Sequence, residues 1–184
     1  MKRVAIDMDG VLYDLLTPWL KEYNEIFSDD LSPEQITTYD LSHYIKCDKE
    51  SLNYILERPD FWEKIELYDG VYEAIDRLTN DPEIDLLFVT ATSYKTAAAK
   101  FQRILELLPM IKKENIIITG RKYLINADIF VDDWEENLKK MENLVNKNMF
   151  LITQNYNRSF PATQYGITRC NSLAEAVDLI LKGE

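Results

Sequence analysis

Short apolar runs that end in polar residues alternate with longer amphipathic stretches along most of the chain. The runs are continuous and contain many β-branched residues, a pattern typical of strands that are buried on both faces of a parallel sheet. These strands are predicted at residues 2–8, 84–89, 115–119, 128–131, 148–152 and 166–170.

The amphipathic stretches between these runs have the 3.6-residue period of helices. Helices are predicted over residues 71–78, 93–107 and 134–145, and after the capping-box pair Ser172 and Glu175. Strands that alternate with helices of this length predict βαβ units. We therefore expect an α/β fold with a doubly wound, Rossmann-like parallel sheet flanked by helices.

The segment between the first two predicted strands departs from this alternation. Residues 14–68 contain no convincing pattern of a buried strand and offer instead three helical patterns, which begin near Thr17, Ser32 and Lys49. We interpret this segment as a helical insert. The predicted division is a core of residues 1–14 and 70–184 and a helical cap subdomain of residues 15–69.

Composition narrows the class of protein. A chain of 184 residues suits one domain with a small insert, against a soft prior of roughly 150 residues per domain. The formal net charge of −11 repels polyanions, so nucleic acid polymers are not expected as partners.

Cys47 and Cys170 lack the spacing of a zinc site or of a CxxC motif. No apolar stretch approaches the ~20 residues of a membrane span. We expect a soluble cytoplasmic protein that could form a homodimer.

Polar side chains collect where several of the predicted strands end. In open α/β sheets ligands bind at the carboxyl ends of the strands, so these side chains are expected to share one site. Several carboxylates in one place need a cation, and oxygen ligands without His or Cys suit Mg²⁺. The lysine and the hydroxyls would then bind the oxygens of a phosphoryl group. The side chains belong to Asp7, Asp9, Thr90, Thr92, Lys122, Asp132 and Asp133.

Motifs within this set resemble those of a known superfamily. Residues 7–12, DMDGVL, resemble the first motif of the haloacid dehalogenase (HAD) superfamily, and Thr90, Lys122 and the pair Asp132-Asp133 match its later motifs in order. The passages DMDGVLYD, ERPDFWEKIELYDGVYEAI and RKYLINADIFVDDWEEN are similar to the 5'(3')-deoxyribonucleotidase family. This resemblance implies a HAD-like core with a cap, and a Mg²⁺-dependent phosphohydrolase that dephosphorylates (deoxy)nucleoside monophosphates.

The resemblance also implies roles for the acidic residues. Asp7 would attack phosphorus and form an aspartyl phosphate, while Asp9 would act first as general acid and then as general base. Mg²⁺ would be bound by Asp7, by the backbone carbonyl of Asp9 and by an Asp of the fourth motif. For that ligand Asp133 is favoured, with Asp132 as its neighbour.

The same resemblance implies that Thr90 and Lys122 hold the phosphoryl oxygens. The family usually has Ser and Pro after the second-motif Thr, whereas this chain has Ala91 and Thr92. The backbone amide of Ala91 would still serve as a donor, and Lys95 would add a positive charge near this loop.

Aromatic residues are frequent in the predicted cap. We expect Phe61 and Trp62 to stack on a nucleobase, because the substrate pocket of the family has aromatics in the matching passage. Thr92 and Lys95 are the other candidates for contact with the substrate.

Two alternative functions remain open from the sequence. The same chemistry could act on sugar phosphates or other small phosphomonoesters. A phospho-acceptor or sensor module that resembles a response-regulator receiver also combines acids, Thr and Lys around Mg²⁺. That fold normally places its acidic pair before the acceptor Asp and has no helical cap, so the order of motifs here argues against it.

Overall fold

The computed structural model describes residues 1–141 and 148–183. Within them, six parallel strands form one sheet in the order β3-β2-β1-β4-β5-β6. The predicted α/β architecture is therefore confirmed, and each of the predicted strands is present. The strands are β1 (Lys2–Ile6), β2 (Ile84–Thr90), β3 (Ile116–Ile118), β4 (Ile129–Asp132), β5 (Asn148–Ile152) and β6 (Thr168–Cys170).

The described residues also form seven α-helices, none of which is long and apolar enough to cross a membrane. The helix predicted from residue 93 begins later, because residues 93–96 form a turn in which the Thr96 amide donates to the Ser93 carbonyl at 3.2 Å. The helices are α1 (Leu16–Phe27), α2 (Lys49–Leu56), α3 (Pro59–Trp62), α4 (Val71–Thr79), α5 (Ala97–Leu107), α6 (Glu135–Lys139) and α7 (Leu173–Lys182).

Two further predicted helices differ from the observed ones. The pattern at Ser32 yields a 3-10 helix over Pro33–Gln35, in which the capping box is present. The helix predicted over residues 134–145 is observed as α6, which ends at Lys139, and residues 142–145 of that prediction lie outside the described residues.

The sheet is buried on both faces. On one face, Val4 and Ile6 of β1 pack in a large apolar cluster that includes residues of α4 and α7. On the other face, Ala5 and Phe130 pack in a second cluster with Leu138 of α6. Because both faces are covered, the strands have continuous rather than alternating apolar sequences.

The segment that carries α1, α2 and α3 leaves and rejoins the core at one place. Tyr13 forms an antiparallel bridge with Leu67, and the Tyr68 amide donates to the Leu12 carbonyl at 3.0 Å. Between these points the helices pack on one another around buried side chains such as Tyr23. This bridge brings both ends of the segment close to Asp9, which also forms a bridge with Tyr13.

Candidate active site

Asp7 occupies the position directly beyond the central strand β1. Its backbone amide donates to the Val131 carbonyl at 2.8 Å, so the hydrogen bonds between β1 and β4 extend to this residue. β2 lies on the other side of β1 and ends at Thr90. Since the strands are parallel, Asp7, Thr90 and Asp132 come to the same edge of the sheet, and all three are buried.

Asp7, Asp132 and Asp133 form a compact acidic cluster. One carboxylate oxygen from each residue lies within 4.8 Å of the other two. Burial raises the pKa of Asp7 to about 7, against the opposing effect of Lys122, and the charge of Asp132 adds to the rise. Burial likewise raises the pKa of Asp133 well above its ordinary value. The cluster therefore holds more negative charge than its surroundings stabilise.

Lys122 is the cation that faces this cluster. It follows β3 at the start of a short 3-10 helix, and its side chain is 8% exposed. The ammonium lies 2.8 Å from Asp7 Oδ1 and 2.8 Å from Asp132 Oδ2. Burial acts to lower the pKa of Lys122, but the two carboxylates raise it above its ordinary value. The group therefore stays charged.

Asp132 and Asp133 have different surroundings although they are adjacent in sequence. Both oxygens of Asp132 accept hydrogen bonds, from the Trp134 amide at 2.9 Å, from Asn137 at 3.1 Å and from Lys122. In the described part of the chain, the carboxylate of Asp133 accepts one hydrogen bond, from the Tyr156 hydroxyl. Asp133 therefore has acceptor capacity left for a ligand, and Asp132 has almost none.

Gly10 allows the loop after β1 to pass close to Asp133. Its φ of +69° lies in the left-handed region that favours glycine. A Cβ at this position would lie 2.9 Å from the Tyr156 hydroxyl and would also collide with the Asp133 carboxylate. The glycine of the first motif is thus needed both for its conformation and for its lack of a side chain.

Asp9 points to a different group of residues, which includes a lysine that was not predicted. Lys100 of α5 places its ammonium 2.8 and 2.7 Å from the two oxygens of Asp9 and 2.7 Å from the Thr90 hydroxyl. Tyr13 donates its hydroxyl to Asp9 at 2.5 Å. The sequence does contain a signal for Lys100: it lies on the apolar face of the predicted helix, together with Ala97 and Ile104, where a charged residue is unusual.

A cavity of about 700 Å³ opens beside these acids. Asp7, Asp9, Lys122 and Asp133 line it on the side of the sheet. The segment between β1 and α4 also lines the cavity, with mostly apolar residues and with the polar residues Asp40, Ser42, Lys49 and Asn53. Its apolar and aromatic lining residues there are Leu15, Leu16, Trp19, Tyr39, Leu41, Leu52, Leu56 and Tyr68.

Aromatic rings form part of the cavity wall. Tyr39 stacks on Trp134 with ring centroids 4.3 Å apart and an interplanar angle of 10°. The Tyr156 ring lies edge-on to Tyr39 at 5.6 Å. These rings come from three loops that are distant in sequence, so no local pattern joins them.

The predicted aromatic contacts lie elsewhere. Phe61 and Trp62 are buried and are not among the described residues that line the cavity. Phe61 packs edge-on against Trp62, and the Trp62 ring lies 4.9 Å from the Lys100 ammonium. Their surfaces are taken up by packing, so the structure does not bring them to the cavity, and their stacking on a base stays a prediction.

The residues after Thr90 also take different positions. Ala91 lines the cavity, whereas Thr92 and Lys95 are not among its described lining residues. The Lys95 ammonium lies 2.5 Å from Glu57, and half of its side chain is exposed. The Thr90 hydroxyl is bound by Lys100 rather than directed freely into the cavity.

The loop after β5 contributes residues that the sequence reasoning missed. Asn157 is fully buried and donates to the carbonyls of Asp133 at 2.7 Å and Ile152 at 2.8 Å, which ties the ends of β4 and β5 together. Gln154 donates to the Gly10 carbonyl at 2.7 Å. The sequence signal for this loop is its place beyond the carboxyl end of β5, at the edge of the sheet where ligands bind.

The donor set of the acidic cluster fits a divalent cation. Its ligand atoms are carboxylate oxygens, without nitrogen or sulfur, and such hard donors suit Mg²⁺ or a similar ion. The raised pKa values of Asp7 and Asp133 point the same way, because a cation would relieve the repulsion that causes part of the shift.

Solved structures share this fold. The chain is similar to a haloacid dehalogenase-like hydrolase from Streptococcus pneumoniae, with a TM-score of 0.67 and 12% identity over 98% of each chain. It is also similar to the D,D-heptose 1,7-bisphosphate phosphatase of B. bronchiseptica, which was solved with magnesium and phosphate, with a TM-score of 0.59 and 16% identity over 100% of each chain.

Sequence comparison identifies the family. The chain is 33% identical over 158 residues to a 5'(3')-deoxyribonucleotidase from Clostridium acetobutylicum, a match that covers 85% of this chain and 84% of the relative. The model of the family "5' nucleotidase, deoxy (Pyrimidine), cytosolic type C protein" matches residues 1–184. The chain therefore has the fold of the haloacid dehalogenase-like structures and belongs to this family of phosphoric monoester hydrolases.

Proposed function

We propose that this protein is a Mg²⁺-dependent phosphatase that hydrolyses (deoxy)nucleoside monophosphates through an aspartyl phosphate on Asp7. The observation that carries the proposal is the position of Asp7 beside the cavity, 2.8 Å from the Lys122 ammonium and next to two further carboxylates. A nucleophile in this position can reach a phosphoryl group whose oxygens are held by a cation and by Lys122.

The reaction takes place in two steps. The Asp7 carboxylate attacks phosphorus, the bond to the leaving oxygen breaks, and that oxygen takes a proton from Asp9. In the second step the Asp9 carboxylate accepts a proton from water. The water oxygen attacks the phosphorus, the bond to Asp7 breaks, and inorganic phosphate leaves. Asp9 lines the cavity and can serve in both steps.

Mg²⁺ would be held by Asp7, Asp133 and the backbone carbonyl of Asp9. When bound, the ion neutralises negative charge on the transferring phosphoryl group. Asp133 is favoured over Asp132 because its carboxylate has acceptor capacity left, whereas that of Asp132 is occupied by Lys122, Trp134 and Asn137.

Lys122 and the backbone amide of Ala91 would bind the phosphoryl oxygens. Both residues line the cavity. Thr90 would act with them through its hydroxyl, which Lys100 holds at 2.7 Å. These donors balance the charge on the side of the phosphoryl group away from the cation.

Nucleoside monophosphates are favoured as substrates for two reasons. The relative from Clostridium acetobutylicum is named as a 5'(3')-deoxyribonucleotidase. The cavity also combines an acidic, cation-binding side with aromatic surfaces at Tyr39 and Trp134, on which a flat base can stack.

The segment over residues 15–69 would act as a cap on a core of residues 1–14 and 70–184. In support, α1 and α2 supply apolar residues to the same cavity that contains Asp7. Such a cap would exclude bulk water from the reaction and shape the choice of substrate.

A phosphate-release panel tests the proposal. Purified protein would be assayed with Mg²⁺ or with EDTA on ribo- and deoxyribonucleoside monophosphates and on sugar phosphates. We expect many turnovers on nucleotides with Mg²⁺ and loss of activity with EDTA. Equal turnover of sugar phosphates would reassign the substrate class, and a single phosphoryl transfer per chain would favour a phospho-acceptor module.

The variant D7N tests the nucleophile. We expect its kcat to fall by at least about 10³-fold, because an amide cannot form the acyl phosphate. The control is D85N, since Asp85 pairs with Arg3 away from the cavity. A D7N protein with the wild-type rate would remove Asp7 from this role.

A further inference from the structure

Lys100 is a buried cation that the proposed reaction does not yet use. Its side chain is 3% exposed, and lysine is almost never buried to this degree without a partner. The ammonium has three donor hydrogens, and three oxygens lie within 2.8 Å of it: both oxygens of Asp9 and the Thr90 hydroxyl. The aromatic ring of Trp62 lies 4.9 Å away on another side.

The two lysines of the site therefore serve different acids. Lys122 faces Asp7 and Asp132, whereas Lys100 faces Asp9. They also come from different elements, since Lys122 follows β3 and Lys100 lies on α5. Lys100 is thus not a second copy of the phosphate-binding lysine but a partner of the proposed acid and base.

The contacts fix the Asp9 carboxylate and still leave it able to react. Tyr13 and Lys100 both donate to Oδ1, and Lys100 also donates to Oδ2. A carboxylate has about four acceptor sites, and the fourth one here, on Oδ2, has only a long contact of 3.5 Å from the Thr90 hydroxyl, which a leaving oxygen can replace. The side chain of Asp9 is 27% exposed and lines the cavity, where a leaving oxygen can approach it.

We infer that Lys100 is the positioning residue of the general acid and base: it holds Asp9 in line with the leaving oxygen and aligns the Thr90 hydroxyl at the same time. The inference rests on the proposed function, because it assigns Lys100 a role in the protonation of the leaving group by Asp9. Misplacement of a catalytic group by about 1 Å can lower the rate about 10²-fold. The gain in rate from a fixed Asp9 therefore offsets the energetic cost of burying the Lys100 ammonium.

Leaving groups of different acidity provide the test. Phenyl phosphate and p-nitrophenyl phosphate have nearly the same shape, but p-nitrophenolate departs without needing a proton, whereas phenolate depends on one. The quantity to measure is the ratio of kcat/KM for the two esters, p-nitrophenyl over phenyl. This quantity reports on the steps up to departure of the leaving group.

In K100M we expect kcat/KM for phenyl phosphate to fall by about 10²-fold and the ratio to rise at least about tenfold above the wild-type ratio. Y13F, which removes a neutral hydrogen bond to the same carboxylate, should raise the ratio by a smaller factor. The matched control is K46M: Lys46 also pairs with one carboxylate, at 2.6 Å from Asp29, but is 63% exposed and lies away from the cavity. Its ratio should equal that of the wild type.

A second variant covers the case in which K100M fails to fold. K100C treated with 2-bromoethylamine regains an ammonium at nearly the original length and should recover the wild-type ratio. Treated wild-type protein controls for alkylation at Cys47 and Cys170. Equal loss on both esters in K100M, or in K100C before alkylation, overturns the inference and leaves Lys100 a packing residue. Wild-type protein that hydrolyses neither phosphate esters nor nucleotides would instead overturn the proposed function.

Discussion

The ammonium of Lys122 lies 2.8 Å from Oδ2 of Asp132, and both side chains are less than a tenth exposed. Asp132 therefore acts mainly as the buried counter-charge of Lys122, and its other oxygen accepts from the Trp134 amide. Asp133, one residue later, keeps acceptor capacity toward the cavity. Two adjacent acids of one motif thus have separate tasks, which stability and metal affinity can distinguish.

Substitution of Asp132 should lower stability. In D132N the buried Lys122 loses one of its two carboxylate partners, and removal of one partner of a buried ion pair typically costs about 3–5 kcal/mol. Because Asp7 remains 2.8 Å from Lys122, we expect a loss near the lower end of this range, about 3 kcal/mol in urea unfolding. The control D85N breaks a partly exposed pair and should cost less than about 1 kcal/mol. Equal small losses in both variants would contradict this division of tasks.

Substitution of Asp133 should instead weaken metal binding. Burial and neighbouring acids already disfavour its charge, so D133N removes repulsion and should leave the free energy of unfolding of the metal-free protein unchanged or higher. We expect the Mg²⁺ concentration for half-maximal activity to rise at least about tenfold. Titration of activity with Mg²⁺ measures it, and a wild-type requirement in D133N would exclude Asp133 as a ligand.

The metal-free protein should become less stable as the pH rises through neutrality. The pKa of Asp7 is raised from 3.8 to about 7 in the folded state. A raised carboxyl pKa gives stability that is fully present below the unfolded value and is lost as the pH rises through the folded value. Between pH 6 and 8 this loss amounts to about 1 kcal/mol, and Asp133 acts in the same direction.

Thermal unfolding in EDTA at several pH values measures this effect. The control is D7N, in which the contribution of Asp7 is absent, so its unfolding temperature should fall less between pH 6 and 8. Mg²⁺ should also reduce the fall in the wild-type protein, since the bound ion favours the ionised acids. Parallel pH curves for wild type and D7N in EDTA would show that Asp7 ionises without cost.

The acidic cluster could be predicted from sequence because it depends on strand ends. Apolar runs located β1 and β4, and their parallel arrangement alone brings Asp7 beside Asp132. Lys122 lies only ten residues before Asp132, in the loop that leads into β4. Where a side chain directly follows a strand, its position in the fold can be inferred from the sequence, because parallel strands end at the same edge of the sheet.

The rest of the site depends on packing that no local pattern specifies. Lys100 reaches Asp9 because α5 presents one face to the sheet, and a single charged residue on an apolar face shows only that it needs a partner, not which one. Aromatic residues raise the same problem. Composition marks the segment around Phe61 as rich in rings, but the structure buries Phe61 and directs Tyr39 to the cavity.

We therefore expect opposite effects on KM and on stability when Tyr39 and Phe61 are substituted. Y39A removes the ring that stacks on Trp134 in the cavity wall and should raise the KM for thymidine 5'-monophosphate about tenfold, since stacking on a base is worth about 1–3 kcal/mol. The KM for glycerol phosphate, which has no flat group, should change little. The matched control is Y54A, because Tyr54 lies in the same segment, is 63% exposed and does not line the cavity.

F61A should show the reverse pattern. Loss of a fully buried ring costs about 3–5 kcal/mol in unfolding free energy, while the KM for either ester should stay near the wild-type value as long as the protein is folded. Steady-state kinetics and urea unfolding on the same three variants separate the two roles. A large rise in the nucleotide KM of F61A, with none in Y39A, would return the base-binding surface to Phe61, and the cavity would then have to rearrange when substrate binds.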